Sequence, residues 1–268
     1  MMFRMIGYPP MKKKKPIWTA GDDAPDTGLP AAPVPRRGVA RVISKLGIGS
    51  RTQAAQWVSE GRVRVNGSLV SDPEFPVIQG RDRIVVDGLE PSSPARLVIM
   101  LNKPRGLVTT TRDERGRDTV YTCFEGAELP WLAPVGRLDK ASEGLLLFSN
   151  DSAWAARITD PANGPEKTYH VQINRLPDAA LLADLERGVV VDGGRLAAKA
   201  ARCIRAGARN AWLEIVLDEG RNRQIRRLLT ALDVSVLRLV RVSVGSLSLG
   251  ELPKRGWRKL TNQEVDSL

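Results

Sequence analysis

The strongest constraint on the fold is a dense run of helix and turn signals in residues 37–67. Four apolar side chains recur there at helical spacing: Val39, Val42, Ile43 and Leu46. Gly47 ends this first predicted helix, and Ser50 followed by Gln53 forms the capping-box pattern that starts a second one. Gly61 ends the second helix, so both helices are short.

Strand signals follow directly. Residues 62–65 alternate polar and apolar side chains and lead into an Asn66-Gly67 turn, and residues 82–86 are predicted as a further strand. Two short helices and a small sheet in so few residues predict a compact module at residues 37–89. Residues 90–96, which contain proline and serine, are predicted to be a linker.

The charge of the chain indicates a polyanionic partner. The 268 residues include 41 Lys and Arg against 30 Asp and Glu, a formal net charge of +11. Nucleic acid is the leading interpretation, while a basic enzyme without such a partner stays open. Residues 1–36 are rich in proline and charge and lack periodicity. They predict a disordered basic tail that either touches RNA phosphates loosely or has no role.

Scarce residue types exclude several classes of site. The sequence has only two cysteines, Cys123 and Cys203, and one histidine, His170. This set forms neither a disulfide framework nor a zinc site, and a single histidine leaves little chance of a Ser-His-Asp triad. The sequence has no phosphate-binding loop, no dinucleotide fingerprint and no apolar stretch long enough for a membrane span. We therefore expect no metal, no cofactor and no membrane association, and a cytoplasmic location.

From residue 97 onward, predicted strands and helices are mixed. Strands are predicted at residues 97–101, 189–191 and 237–242, and helices at residues 152–158, 178–187 and 221–232. Because the two types do not alternate evenly, we expect residues 97–268 to form an α+β domain on a mixed, largely antiparallel sheet. The whole chain is thus a small α/β module followed by a larger α+β domain.

Residues 136–151 are the densest candidate for chemistry. A polar loop bounded by glycines carries Arg137 and Asp139 and runs into the apolar segment Leu145–Phe148. Such a loop places a carboxylate at the rim of a sheet, with a rigid strand behind it. On spacing alone, a surface ion pair between Arg137 and Asp139 is the plainer interpretation, and it stays open.

Tyr169 is a second candidate. Residues 167–171 alternate polar and apolar side chains, so Tyr169 projects from one face of a predicted strand. It either faces a site or packs against its neighbours as a half-buried tyrosine.

The predicted helix at residues 221–232 supplies a third candidate. Helical geometry puts Arg226 beside the apolar stripe and Arg223 nearly opposite to it. A half-buried guanidinium at Arg226 needs an anionic partner. Arginines in a first helical turn are disfavoured by the helix dipole. Their placement there makes sense if they face an external anion such as RNA phosphate. Local neutralisation by Asp218–Glu219 stays open.

The N-terminal module concentrates basic side chains at Arg36, Arg37, Arg41, Lys45, Arg51, Arg62 and Arg64. Arg37, Arg41 and Lys45 are four residues apart and predict one stripe of a helix, which by itself is typical of a solvated face. Residues 47–51 and 61–67 closely resemble the S4 domain, the small RNA-binding domain named after a ribosomal protein. The resemblance implies that the two helices and the following loop hold structured RNA through its phosphates.

Four further segments resemble the pseudouridine synthases that modify ribosomal RNA and carry an N-terminal S4-like domain. They occur in the order found in that family, at residues 101–106, 136–147, 167–169 and 219–228. The resemblance extends over nearly everything after residue 36. It implies an enzyme that isomerises uridine in RNA to pseudouridine without a metal or a cofactor.

The same resemblance implies roles for single residues. Asp139 matches the family's catalytic aspartate, which acts as a nucleophile at C1′ or removes a proton. Arg226 matches the basic residue that pairs with this aspartate and keeps it ionised. Tyr169 matches the tyrosine that stacks on the uracil, and Arg137 matches the residue that enters the RNA helix when the target nucleotide flips out.

The expected partner is ribosomal RNA in an assembly intermediate of the ribosome, with the large subunit favoured and the protein acting as a monomer. RNA contacts are expected from Arg37, Arg41, Lys45, Arg51, Arg62, Arg64, Lys103, Lys167, Arg221 and Arg223. Two other functions stay open. One is a non-catalytic RNA-binding assembly factor, and the other is an N-glycosidase in which Glu143 supplies a second carboxylate.

Overall fold

The computed structural model describes residues 34–91, 95–111 and 113–268. The predicted basic tail therefore lies almost entirely outside the described residues, as do residues 92–94 of the predicted linker.

The N-terminal module contains two helices and five short strands. Its elements are β1 (Arg37–Gly38), α1 (Val39–Lys45), α2 (Arg51–Ser59), β2 (Val63–Val65), β3 (Ser68–Leu69), β4 (Pro76–Val77) and β5 (Ile84–Val86). Strands β3, β2 and β5 form an antiparallel sheet, and β1 pairs with β4. The two helices pack over a core of buried aliphatic side chains.

Local sequence explains these elements. The Ser50 side chain accepts from the Gln53 amide while the Gln53 side chain accepts from the Ser50 amide, so the predicted capping box starts α2. Asn66 and Gly67 both have positive φ angles, of 50° and 86°, which is the geometry of a tight turn between paired strands. Both predicted signals are confirmed.

Residues 95–111 and 113–268 contain eleven strands, four α-helices and a short 3-10 helix (Val120–Phe124). The strands and α-helices are β6 (Val98–Lys103), β7 (Ala133–Val135), β8 (Glu143–Ser149), α3 (Ser152–Thr159), β9 (Lys167–Ile173), α4 (Ala179–Arg187), β10 (Val189–Val191), β11 (Gly194–Leu196), β12 (Ala200–Ala206), β13 (Ala211–Leu217), α5 (Gln224–Thr230), β14 (Val236–Val244), β15 (Leu247–Ser248), β16 (Trp257–Lys259) and α6 (Asn262–Asp266). Within the described residues, no helix is long and apolar enough to cross a membrane.

Nine of these strands form one sheet. Its main path runs β12-β13-β9-β14-β8-β6-β16, with β15 added on β14 and β7 on β8. Every pairing is antiparallel except that of β14 with β8. The expected α+β fold with a mixed, largely antiparallel sheet is confirmed.

The centre of the sheet is buried on both faces. All seven residues of β8 are buried, with Leu145 and Leu147 in one apolar cluster and Leu146 and Phe148 in another. A third cluster packs α4 and α5 against β9, β13 and β14. Full burial of each such side chain contributes roughly 1.5–3 kcal/mol. The loop entering β8 is therefore attached to one of the most rigid strands of the domain.

Helix α5 begins at Gln224, three residues later than predicted. Arg221 and Arg223 therefore lie in the turn before the helix, whereas Arg226 lies within it. Arg223 has a φ of 49°, a left-handed conformation that a continuous helix does not contain. The buried Gln224 side chain holds this turn, because it accepts from the Arg221 amide at 3.2 Å and donates to the Ala197 carbonyl at 2.9 Å.

The parallel pairing of β8 with β14 depends on Gly144. Gly144 stands opposite Arg241 in the register of the two strands. A Cβ atom added to Gly144 would lie 2.2 Å from the Arg241 carbonyl oxygen, and Gly144 has a φ of 99°. Both the close approach and the backbone conformation require glycine.

We predict that Gly144→Ala destabilises the protein by at least about 3 kcal/mol, because a Cβ atom forces β8 and β14 apart. Gly106→Ala is the matched control: its φ of 102° is nearly the same, but no atom lies within 4 Å of an added Cβ. The control measures only the loss of stability caused by a Cβ atom on a residue with positive φ, about 1–2 kcal/mol. Urea unfolding of both variants measures the difference, and equal losses of stability would show that the close approach of the two strands is not limiting.

Candidate active site

A cavity of about 530 Å³ opens between the loop joining β7 to β8, strands β9 and β14, and the turn before α5. A cavity of this volume accommodates a small-molecule or nucleotide-sized ligand. All residues that the sequence singled out for chemistry line it: Arg137, Asp139, Tyr169 and Arg226. Three of the expected RNA contacts line it as well: Lys167, Arg221 and Arg223.

The loop carrying Asp139 has a fixed backbone. The Ser142 amide donates to the Asp139 carbonyl at 3.0 Å and closes a tight turn. The Thr109 hydroxyl donates to the Leu138 carbonyl at 2.7 Å and accepts from the Leu138 amide at 3.3 Å. The Asp139 carboxylate, one-third exposed, is thus presented to the cavity from a backbone held on both sides.

Lys103 supports the same turn from beneath. Its side chain is fully buried, and its ammonium donates to the carbonyls of Pro104 at 3.1 Å, Asp139 at 3.1 Å and Ser142 at 2.8 Å. Burial lowers the pKa of Lys103 to about 8, although the Asp139 carboxylate opposes this shift. The expectation that Lys103 contacts RNA is therefore wrong, because its charge is used inside the protein.

Glu143 anchors the other end of the loop. Its carboxylate is only 5% exposed and binds Arg238 at 2.7 and 3.0 Å and Lys254 at 3.0 Å. The Arg238 guanidinium, with a smaller effect of Lys254, lowers the pKa of Glu143 against the opposing effect of burial. Glu143 is thus a structural carboxylate at the start of β8.

Two arginines lie beside Asp139 in the cavity wall. Arg223 Nη1 lies 3.6 Å from Asp139 Oδ2, an ion-pair contact longer than a hydrogen bond. Arg226 donates to the Ala141 carbonyl at 3.2 Å, and its buried Nε has no hydrogen-bond partner among the described residues. The resemblance implies a direct pair between Arg226 and Asp139, whereas in this structure Arg223 makes the direct contact.

The half-buried position predicted for Arg226 is confirmed. This position also affects the pKa of its guanidinium group. Burial and the neighbouring Arg223 lower the pKa of Arg226, while Asp139 acts in the opposite direction. The two guanidinium groups together make this wall of the cavity electropositive.

Tyr169 belongs to the opposite wall. It lies on β9 directly across from Arg241 on β14, and both side chains line the cavity. The ring also packs against two apolar clusters. Both interpretations of Tyr169 therefore apply together, because the residue is half-buried against its neighbours and also faces the cavity.

Arg137 lies between this cavity and a second one of about 390 Å³ on the other side of the same loop. Arg137 is exposed and lines both, as does Asp139. Within the described residues Arg137 and Asp139 do not form the surface ion pair that spacing alone favours, since Asp139 pairs with Arg223.

Sequence reasoning missed Arg241. Its side chain is only 6% exposed and its Nε donates to the Leu145 carbonyl at 2.7 Å. Arg241 stands two residues after the buried Leu239 on a strand, so the alternation of β14 places both on one face. The sequence signal for burial of Arg241 was an arginine at an inward position of an apolar strand. Lys103, at the end of the apolar strand β6, offered the same signal.

Several basic side chains of the N-terminal module are neutralised locally. Arg51 pairs with Glu74 at 3.1 Å, and Arg62 pairs with Asp87 and Glu60. Arg64 donates to the Gly67 carbonyl at 3.0 Å. All three arginines are exposed. Carboxylates within the module compensate the charges of Arg51 and Arg62, whereas the Arg64 guanidinium has a carbonyl partner.

Arg37, Arg41 and Lys45 differ from that group. Arg37 lies in β1 and not on the predicted helical stripe, yet it remains close to the other two. Burial, followed by the charges of Arg37 and Arg41, lowers the pKa of Lys45. In the described part of the module, residues 34–91, none of the three has an ion-pair partner. They form an uncompensated basic cluster.

Known proteins share both modules. Residues 97–231 match the family described as RNA pseudouridylate synthase, and residues 37–81 match the S4 domain. The chain is 34% identical over 230 residues to the ribosomal large subunit pseudouridine synthase B of Bacillus subtilis, covering 85% of this chain and 93% of the relative. It is 36% identical over 237 residues to the protein of the same name from Escherichia coli, covering 85% and 80%.

The chain belongs to the RNA pseudouridylate synthase family. A solved pseudouridylate synthase has the same fold, with a TM-score of 0.60 and 28% identity over 86% of this chain and 99% of that one. The resemblance identified from the sequence is confirmed for both the S4 domain and the synthase domain.

We predict that Lys103→Met in this synthase lowers the turnover rate at least about tenfold while leaving the dissociation constant for RNA nearly unchanged. Methionine keeps an unbranched side chain, one atom shorter than that of lysine, but cannot donate to the carbonyls of the Asp139 turn. Small displacements of a reacting group reduce rates steeply. Rate and affinity are measured separately, by single turnover and by filter binding.

Lys140→Met is the control for Lys103→Met, since Lys140 is exposed in the same loop. A loss of RNA affinity at normal turnover in Lys103→Met would contradict the supporting role of Lys103.

Proposed function

We propose that this synthase isomerises one uridine of ribosomal RNA to pseudouridine, with Asp139 as the catalytic carboxylate. The observation that carries the proposal is the position of Asp139. Its carboxylate lines a cavity of about 530 Å³, on a turn held by Lys103 and Thr109, opposite Tyr169 and beside Arg223 and Arg226. The names of the relatives, which specify the large ribosomal subunit, support ribosomal RNA as the substrate.

The reaction exchanges one bond for another. The bond from uracil N1 to ribose C1′ breaks, and its electron pair stays with the ring, which becomes an anion. The ring turns, and C5 supplies the electron pair for a new bond to C1′. C5 then loses a proton and N1 gains one, so the composition of the nucleotide is unchanged.

Asp139 enters this sequence by one of two routes. As a nucleophile its carboxylate bonds to C1′ when uracil departs, and C5 later displaces it. As a base it removes a proton from the ribose, which returns later. Both routes require an ionised carboxylate. Arg223 lies 3.6 Å from that carboxylate.

Uridine must leave the RNA stack to react, because C1′ and C5 cannot be exchanged within a stacked base. We assign Tyr169 as the surface on which the flipped uracil stacks, since its ring lines the cavity and is fixed by packing. Arg137 is exposed between the two cavities, a position suited to filling the space that the flipped nucleotide leaves in the RNA.

The S4 module is assigned to holding structured RNA outside the cavity. Its uncompensated cluster of Arg37, Arg41 and Lys45 is the surface that RNA phosphates bind. We place the reaction on large-subunit RNA in a ribosome assembly intermediate in the cytoplasm, with the protein acting as a monomer. The module spans residues 37–89 and the synthase domain residues 97–268.

The structure weakens the N-glycosidase alternative. That reaction needs a second carboxylate to activate water. Glu143 was the candidate, and its carboxylate is withdrawn into ion pairs with Arg238 and Lys254. The product distinguishes the two reactions, because an N-glycosidase releases free uracil.

We predict that Asp139→Asn lowers isomerisation at least about 10³-fold, because the amide is neither a nucleophile nor a base. RNA affinity should change less than about threefold, under 1 kcal/mol. Pseudouridine is measured by carbodiimide labelling and primer extension on ribosomal RNA. Residual turnover of more than a few per cent would remove Asp139 from the chemistry, and an inactive wild-type protein would refute the function.

For the S4 module we predict that replacing Arg37, Arg41 and Lys45 together by glutamine weakens RNA binding and flattens its dependence on salt. The slope of log K against log salt should fall by about two to three units, roughly one for each phosphate that the variant no longer neutralises. The maximal rate at saturating RNA should stay within about twofold.

Arg62→Gln is the matched control, because Arg62 is already paired with Asp87. It should leave the salt slope nearly unchanged. Equal slopes for the triple variant and the wild-type protein would show that this cluster does not bind RNA phosphates.

A further inference from the structure

Strands β9 and β14 present two cations to the cavity, one on each side of Tyr169. Tyr169 is directly opposite Arg241 in the antiparallel register, and Lys167 stands two residues before Tyr169 on the same strand. Directly opposed residues on one face have Cβ atoms about 4.5–5.5 Å apart. Lys167, Tyr169 and Arg241 all line the cavity.

Arg241 is built into this wall. The side chain is 6% exposed, and its Nε is held by the Leu145 carbonyl at 2.7 Å. Its two terminal nitrogens have no hydrogen-bond partner within the described ranges 34–91, 95–111 and 113–268. A buried guanidinium held by one nitrogen, with the others free beside a cavity, is a preorganised donor for a ligand.

Lys167 adds a second charge at the same place. The side chain is half-buried, and burial followed by the neighbouring Arg241 lowers the pKa of Lys167. Asp218 acts in the opposite direction but ranks behind both. Neither Lys167 nor Arg241 forms an ion pair with a carboxylate in the part of the chain that the structure describes. Two adjacent, partly desolvated cations without a direct ion-pair partner among the described residues favour the binding of a negative charge.

The two walls of the cavity carry their cations differently. On the wall next to α5, Arg223 contacts Asp139 directly. On the β9–β14 wall, the cations flank Tyr169, and within the described residues no carboxylate pairs with them. The first set serves the catalytic carboxylate, and the second is left for the ligand.

We propose that Arg241 and Lys167 bind the carbonyl oxygens of the uracil ring and stabilise the negative charge that the ring acquires when its bond to C1′ breaks. This inference rests on the proposed function, since it assumes that uracil stacks on Tyr169. The electron pair of the broken bond spreads over N1 and the two carbonyl oxygens of the ring. Fixed cations at those oxygens stabilise the departing ring more than the intact nucleotide.

A backbone phosphate offers the same anionic oxygens, so the two ligands must be separated. The burial of Arg241 favours the base, because a phosphate of a flipped nucleotide stays near the surface while the base enters the cavity. The neighbouring lining is apolar, with Val135, Leu147 and Val244, and suits a flat base better than a solvated phosphate. These observations assign the pair to uracil.

The test compares Lys167→Met and Arg241→Met with wild type as full-length proteins on a ribosomal RNA fragment that the wild type modifies. Single-turnover rates and RNA dissociation constants are measured over a range of salt concentrations. We expect each variant to lose about 10²- to 10³-fold in rate, the effect of removing one preorganised donor. The dissociation constant and its salt slope should be unchanged. Lys259→Met, at an exposed lysine on β16, is the control for removing one positive charge.

Each other outcome overturns the inference. A salt slope reduced by about one unit at an unchanged rate would assign the pair to a phosphate. An unchanged single-turnover rate together with an unchanged salt slope would show that Lys167 and Arg241 have no role in the reaction. The proposed function would still be supported, because the wild type is active. If the wild type modifies no fragment of ribosomal RNA, the proposed function is wrong and this inference fails with it. If Arg241→Met does not fold, Lys167→Met decides, because the Lys167 side chain makes no hydrogen bond within the described residues.

Discussion

The site depends on one buried ammonium group. Lys103 lies at the end of the largely buried strand β6 and donates to three carbonyls, two of which belong to the turn around Asp139. Burying a charge is costly unless polar partners surround it, and here the partners are the backbone of the loop itself. The loop therefore has little freedom to move away from β6 without leaving a buried charge unsatisfied. The rigidity of Asp139 follows from the cost of exposing Lys103.

The positive charge of the protein has different uses in its two modules. In the S4 module the uncompensated cations are partly or fully exposed, and the effect that we propose for them is long-range attraction of RNA, which salt screens. In the synthase domain Arg226, Arg241 and Lys167 are partly or largely buried, where a charge acts strongly over a short distance. Under the proposed function, attraction of the polymer and stabilisation of the reacting group therefore belong to separate sets of residues.

Local signals predicted local structure well. The capping box of Ser50 and Gln53 and the Asn66-Gly67 turn depend on neighbours in sequence, and both are formed. The start of α5 was misplaced because the side chain of Gln224, bound to the distant Ala197, decides where that helix begins. Lys103 and Arg241 were misread or missed for the same reason. The Asp139 and Ser142 carbonyls that bind Lys103, and the Leu145 carbonyl that binds Arg241, lie 36 or more positions away in the sequence. Pattern and resemblance located the candidate site, while the contacts that shape it are between distant segments.

The contact of Gly144 with Arg241 also determines when the site comes into existence. These residues belong to strands far apart in the sequence, and the two strands share only two register pairs. Domains form as units once their distant segments are available. A nascent chain that has passed Asp139 but has not yet added β14 lacks one wall of the cavity, including Arg241. Such a chain already has its S4 module, so during synthesis the capacity to hold RNA precedes the capacity to modify it.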